Sequence, residues 1–220
     1  MTLIVVTGVD GTGKTTLAKE LCSRLHDRGH AASYIYGRIV PVVSRFVMWL
    51  GKSLFLRKSH QSNDYLAYRK EAKKTLQNPL LVLPYSVSIS LDYFIEIWLK
   101  LLPDIFSSRI MILDRYVYDT IVSDMAAHIQ MDDTRFRKMI DRWFNFVPRP
   151  DRTYLLCAPD VVSFSRKTDI PHIEYLRERN YWYGLLEDRE EVRALDGTKP
   201  IEANIHIIFE DLAETGLIKG

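Results

Sequence analysis

Cysteine is nearly absent from this 220-residue chain: Cys22 and Cys157 are the two there are, and they lie far apart in the sequence. No C-x-x-C pair and no Cys/His ligand spacing occurs, which excludes a disulfide framework and a structural zinc site. Charge of one sign is equally scarce. With 30 Lys/Arg against 28 Asp/Glu the formal net charge is +2, too small for a duplex-binding surface, so nucleic acid is not an expected partner. There is no internal repeat, low-complexity tract or linker, which leaves one domain over residues 1–220 as the expectation. Long apolar runs are missing too. Residues 39–56 are strongly apolar, but Pro41, Arg45, Gly51 and Lys52 interrupt them, so an amphipathic helix is expected there and no stable membrane insertion. No signal peptide precedes the first apolar run, and together with the sparse cysteines this reads as a cytoplasmic setting.

What is present is an ordinary globular composition, 47% hydrophobic and 26% charged. That suffices to bury one α/β core. The charge is unevenly spread: residues 38–74 hold nine Lys/Arg against Asp64 and Glu71, whereas residues 187–220 are acidic.

Residues 8–15 read Gly-Val-Asp-Gly-Thr-Gly-Lys-Thr, the pattern G-x-x-x-x-G-K-[ST], directly after the apolar run Leu3–Val6. A phosphate chain needs donors converging from a small ring of backbone, and Gly8, Gly11 and Gly13 permit that ring. Thr12 lies within it, and Thr16 begins the helix whose N-terminal dipole faces the anion. Lys14 is placed to reach the β and γ phosphates, and Thr15 to offer its hydroxyl to Mg²⁺. From average residue usage a chain of this length matches the pattern by chance on the order of once in a hundred times. ATP and Mg²⁺ are therefore the expected cofactors.

Thr16–Arg28 carry apolar residues at helical spacing and end at Gly29. Ala31–Tyr36, Ile110–Leu113, Thr153–Cys157 and Val192–Leu195 read as further strands, separated by helical patterns. Five parallel strands with helices on both faces are expected, a three-layer α/β fold. Between the second and third strands, Val42–Leu56, Asp64–Leu76 and Leu81–Leu102 look helical, the last beginning near Pro84. They form a helical cap over roughly residues 39–104. The third strand ends in Asp114-Arg115-Tyr116, which delivers a carboxylate to the sheet edge that holds the glycine loop. There Asp114 can hold Mg²⁺ or its water, and Arg115 can clamp a phosphate with two donors.

The stretches Gly8–Thr16 and Leu113–Tyr116 resemble the P-loop and DRY motifs of thymidylate kinases. Pro150–Leu156 is similar to that family's PD-x-T-x-x-L strand. Arg166-Lys167 sit where it places a short lid, over about residues 164–172. Arg177 and Arg179 fall near its R-x-x-Y helix, and Leu195-Asp196-Gly197 where its last strand turns toward the adenine. The resemblance implies transfer of the ATP γ-phosphoryl group to a nucleoside monophosphate, most directly dTMP to dTDP, by positioning and charge neutralisation. It implies that Arg115 binds the acceptor phosphate, that Asp10 contacts the acceptor sugar, that Arg166 closes over the transferring group, and that Asp196 belongs to the ATP site. It also implies a homodimer. Arg38 survives from the family's loop after strand two, as a ligand for the acceptor phosphate.

The acceptor side departs from the family. Where thymidylate kinases carry Ala-Asp-Arg this chain has Leu91-Asp92-Tyr93, and where they run S-x-x-A-Y-Q it has Asp119-Thr120-Ile121-Val122-Ser123-Asp124. Tyr93, Tyr116 and Asp119 are the candidate acceptor contacts in their place, with a thymine expected to be read around Tyr93 and Asp124. Two alternatives stay open: a kinase of the same architecture for a nucleoside or a less polar alcohol, and an ATP-binding switch that transfers nothing.

Overall fold

The structure, a computed structural model, describes residues 2–39, 44–45, 49, 78–107, 109–126, 129 and 131–218. The expected cap helices Val42–Leu56 and Asp64–Leu76 lie almost wholly outside the described residues.

Five strands form one sheet: β1 (Thr2–Gly8), β2 (Ala32–Tyr36), β3 (Ile110–Asp114), β4 (Arg152–Cys157) and β5 (Val192–Asp196). Their order is β2-β3-β1-β4-β5 and every pairing is parallel. The three-layer α/β fold read from the apolar runs is thus present. β1 and β2 do not pair; β3 lies between them, with Val6 opposite Asp114 and Tyr36 opposite Asp114 on its other side.

Among the described residues seven α-helices cover the sheet: α1 (Lys14–Asp27), α2 (Pro79–Ile105), α3 (Val117–Thr120), α4 (Asp133–Trp143), α5 (Asp160–Ser165), α6 (Ile173–Gly184) and α7 (Ile201–Glu214). Strand side chains alternate between faces, and both faces are apolar. Ile4, Val6, Ile110, Ile112 and Leu156 pack on Leu17, Leu21, Ile208 and Leu212 of α1 and α7. Leu3, Val5, Met111, Leu113 and Leu155 pack on the opposite layer, through Ile89, Tyr93 and Ile97 of α2, Val117 of α3 and Leu176 of α6.

Helix α2 starts at Pro79, ahead of the expected Leu81, and holds Pro84 and Pro103 within it. A proline as first residue loses no intrahelical bond, since that N–H has no acceptor in any helix. Over Val82–Ile105 this helix is long and apolar enough to cross a membrane by length and composition alone, a stretch the sequence pattern does not single out as a span. One face of it, Tyr85, Ile89, Tyr93, Ile97 and Leu101, is buried in the core.

One segment departs from regular geometry. Ile121–Ala126 continues α3 as a π-helix, a wider turn that occurs chiefly at functional sites.

Candidate functional site

At the C-terminal edge of the sheet β1 leads through Gly8–Gly13 into α1. Gly13 is the N-cap residue; no side chain caps this helix, and its first turn holds no acid. The leading N–H groups of α1 are therefore left to an anion, at the positive end of the helix dipole. This is the fit a triphosphate needs. Lys14 is 4% exposed, and its Nζ donates to the loop's own carbonyls, at 2.6 Å to Gly8 and 2.8 Å to Val9. Burial pulls its ammonium down to about 8, opposed by the charges of Asp119 and Asp10. Lys14 thus folds over the loop within reach of whatever the loop cradles.

Thr12 is buried and closes the loop by donating its hydroxyl to the Val9 carbonyl at 2.8 Å. Gly11 touches the lid side: a Cβ there would lie 2.5 Å from the Ser163 carbonyl of α5. Only glycine lets the loop and α5 approach this closely.

Asp114 at the end of β3 is fully buried. Its Oδ2 accepts the Thr15 hydroxyl at 2.6 Å and the Tyr34 hydroxyl at 2.9 Å. One hydroxyl and one carboxylate are too few to hold a divalent cation alone, and no group of three or more His, Cys, Asp or Glu suited to a metal occurs among the described residues. The pair fits Mg²⁺, which keeps waters and takes most of its remaining ligands from substrate phosphates.

Arg115 follows in the left-handed region, at φ 75°. That backbone is strained for a residue with a side chain, and it occurs where surrounding contacts enforce it. Here they are visible. Nη1 lies 3.2 Å from Asp114, Nη2 lies 3.3 Å from Asp10, and the guanidinium stands over the Tyr36 ring. From the next strand Gly37 donates its N–H to the Asp114 carbonyl, and a Cβ on Gly37 would lie 2.0 Å from the Arg115 carbonyl. Burial opposes the Arg115 charge, but Asp119, Asp114 and Asp10 hold it firmly in place.

Asp10 is where the two motifs meet. Its Oδ1 is 3.8 Å from Lys14 and its Oδ2 accepts the Tyr175 hydroxyl at 3.2 Å. Burial acts to raise its carboxyl, but Lys14, Arg115, Lys167 and Arg38 outweigh it and hold it at about 2. Lys167, in the expected lid, is thereby placed near the loop. Arg166 is exposed and donates from Nη1 to the Gly197 carbonyl at 2.8 Å, joining the lid to the turn after β5. Asp196 in that turn accepts from the N–H and hydroxyl of Thr198.

The acceptor candidates divide. Arg38 and Asp119 line a narrow cleft together with Gly8, Asp10, Arg115, Ser123, Asp124, Arg179 and Tyr183. Asp119 is buried within its wall, accepting from the hydroxyls of Thr7 at 2.7 Å and Tyr183 at 2.8 Å and from the Tyr116 N–H at 3.1 Å. Its carboxyl is raised, chiefly by burial. Tyr93 and Tyr116 are placed elsewhere. Both are wholly buried in an aromatic cluster with Phe94, Trp143 and Phe144, and the Tyr116 hydroxyl donates to the Pro148 carbonyl. Asp124, at the end of the stretch that departs from the family pattern, is an expected base contact; Ser123, Arg179 and Tyr183 are not among the expected acceptor contacts.

A parallel five-stranded sheet with a glycine loop, a lysine and an Asp-Arg turn meeting at its C-terminal edge defines an α/β protein with a P-loop fold. Its sequence is similar to two proteins named as probable thymidylate kinases. It is 25% identical over 207 residues to a protein of Archaeoglobus fulgidus named "Probable thymidylate kinase", covering 91% of this chain and 89% of the relative. A protein of Pyrococcus horikoshii with the same name is 24% identical over 211 residues, covering 92% and 91%. No family model matches the sequence.

Proposed function

We propose that this chain is an ATP-dependent phosphotransferase that moves the γ-phosphoryl group to a nucleoside monophosphate, with dTMP the first acceptor to try. The observation that carries the reading is the convergence of Lys14, the Thr15–Asp114 pair and the Asp10–Arg115 pair on one sheet edge. Each does what phosphoryl transfer asks of a protein, which is positioning and charge rather than covalent chemistry. The open first turn of α1 and Lys14 bind the donor phosphates. Thr15 and Asp114 would hold Mg²⁺, which when bound neutralises charge on the β and γ phosphates. Arg115, already aimed by Asp10 and Asp114, meets the acceptor phosphate, with Arg38 lining the same cleft. Arg166 and Lys167 enclose the reacting groups from the lid side and exclude water.

The relatives' names support the kinase class, and the intact set of charged groups favours turnover over a silent switch. The test is transfer of label from γ-labelled ATP to a panel of nucleoside monophosphates, nucleosides alongside, with Lys14→Ala as blank. Label in dTDP that disappears in the blank supports the reading, and label on none of the monophosphates sinks it.

The protein acts as a cytoplasmic homodimer in this reading. Leu83, Val87, Leu91, Ile95, Leu99 and Leu102 of α2 are exposed on the face opposite the core. They form a stripe at four- and three-residue spacing, and its one nearby charged pair, Glu96 with Lys100, is internally neutralised. An uncharged stripe of this length is self-complementary about a two-fold axis.

A further inference from the structure

The cleft holds two groups that the proposed chemistry does not use. Arg179, on α6, is 5% exposed, and its guanidinium carbon lies 3.4 Å from the centroid of the Tyr175 ring. It donates to the Tyr175 carbonyl at 3.2 Å and, at a weak 3.5 Å, to the Ser123 carbonyl; its Nε has no partner. No described carboxylate lies within ion-pair distance of it. A buried guanidinium without a counter-ion or a full set of acceptors is costly, and a fold that stacks it in place on an aromatic ring keeps it ready for a ligand.

Asp124 lines the same cleft. The π-helix turns Ser123 and Asp124 into the cleft wall, and the Tyr85 hydroxyl pins the Asp124 backbone by donating to its carbonyl at 2.7 Å. No described side chain donates to the Asp124 carboxylate. Burial raises this carboxyl to about 6, against the pull of Arg38 and Arg179 and with the push of Asp119 and Asp10.

Resting on the acceptor reading of this site, we propose that Arg179 and Asp124 are the residues that select the acceptor's base, and that they select a lactam edge: a ring N–H flanked by a carbonyl, as in thymine, uracil and guanine. A guanidinium only donates and a carboxylate only accepts, so the ligand edge must offer one acceptor and one donor side by side. Arg179 has several N–H groups to place, and a carbonyl oxygen with two lone pairs takes them better than the single lone pair of a ring nitrogen. The ring N–H of a lactam is a strong donor for Asp124, in a charge-assisted bond. The cleft gives the pair its place: Arg179 and Asp124 line it together with Arg115 and Arg38, the proposed phosphate-binding groups, and with Gly8 and Asp10 of the P-loop. Tyr93, at the sequence position expected to read the base, is packed in the core and cannot supply that contact.

Acceptor binding is measured by calorimetry without ATP, which separates this proposal from phosphoryl transfer. The wild-type protein binds dTMP, dUMP or dGMP at least about tenfold more tightly than dCMP and dAMP, and methylation of the thymine ring N–H weakens dTMP binding by a similar factor. In Asp124→Asn, whose amide offers a donor as well as an acceptor, the methylation penalty and the preference over dCMP shrink to within about threefold. In Arg179→Gln the acceptor KM rises more than kcat falls, and Arg179→Lys restores it only in part. Circular dichroism and melting confirm that each variant is folded, and Asp124→Glu serves if Asp124→Asn is not. Equal binding of dTMP and its ring-methylated form, or an unchanged preference in the Asp124 variants, overturns the proposal. So does failure of the wild-type protein to bind any monophosphate. Monophosphate binding with this selectivity but no transfer from ATP overturns the phosphotransferase reading and leaves the base-reading pair standing.

Discussion

The Thr15 hydroxyl, from the first turn of α1, donates at 2.6 Å to Oδ2 of Asp114, from the last position of β3. Two motifs ninety-nine residues apart in the chain are thus joined by one hydrogen bond, between the two groups proposed to hold Mg²⁺. Tyr34 holds the same carboxylate oxygen from β2. Replacing Asp114 by Asn keeps the shape and removes the charge. The expected result is a fall in kcat on the order of 10²-fold together with a raised Mg²⁺ requirement. Titration of activity against Mg²⁺ checks both.

Gly37 tests whether the Arg115 turn is positioned by close packing. The atom a Cβ would meet is the Arg115 carbonyl oxygen at 2.0 Å, part of the backbone and unable to swing aside. Gly37→Ala therefore displaces the Asp114–Arg115 turn, costs roughly 2–3 kcal/mol of stability and raises the acceptor KM. Urea unfolding and steady-state kinetics on the same preparation measure the two effects.

Acid sensitivity should concentrate at Asp211. On α7 this buried carboxylate receives a two-pronged Arg152 at 2.6 and 2.7 Å, Arg193 at 2.6 Å and the Tyr154 hydroxyl at 2.8 Å. Burial pushes its carboxyl up, but those hydrogen bonds prevail and hold it at about 2. A carboxyl lower in the folded than in the unfolded chain stabilises the fold above its unfolded value near 4 and loses that contribution as pH falls toward 2. Asp211→Asn should cost about 3 kcal/mol at pH 7 by leaving two guanidiniums without their partner. It should also flatten the stability profile between pH 4 and pH 2. Denaturant midpoints across that range decide it.

Ile95 lies midway along the exposed α2 stripe and is 58% exposed. A charge there changes nothing in the core, so Ile95→Glu should leave the melting behaviour of the monomer intact and abolish the dimer. Sedimentation of the two proteins at matched concentration reads the outcome. A wild-type protein that sediments as a monomer removes the homodimer from the account.

Much of this architecture was legible because the sheet is buried on both faces, so each strand is a short apolar run with little ambiguity. The P-loop and the Asp114-Arg115 turn were legible because their chemistry fixes spacing. The acceptor side was not. An aromatic residue at helical spacing suits a core as well as a ligand, and Tyr93 and Tyr116 belong to the core. Asp124 and Arg179 lie 55 residues apart, in a π-helix and in α6, and nothing local in the sequence announces that the widened turn and the stacked guanidinium meet in one cleft. The apolar surface of α2 was hidden by the same periodicity that gives its buried face, since both faces are apolar.

The most direct test of the central claim is phosphoryl transfer from γ-labelled ATP to dTMP in the presence of Mg²⁺, measured side by side for the wild-type protein and Lys14→Ala. The account predicts labelled dTDP from the wild type and a rate lower by at least about 10²-fold in the variant, because Lys14, a buried cation of the glycine loop, is the group proposed to meet the donor phosphates. Equal rates in the two proteins, or transfer to none of the nucleoside monophosphates while ATP still binds, would contradict it.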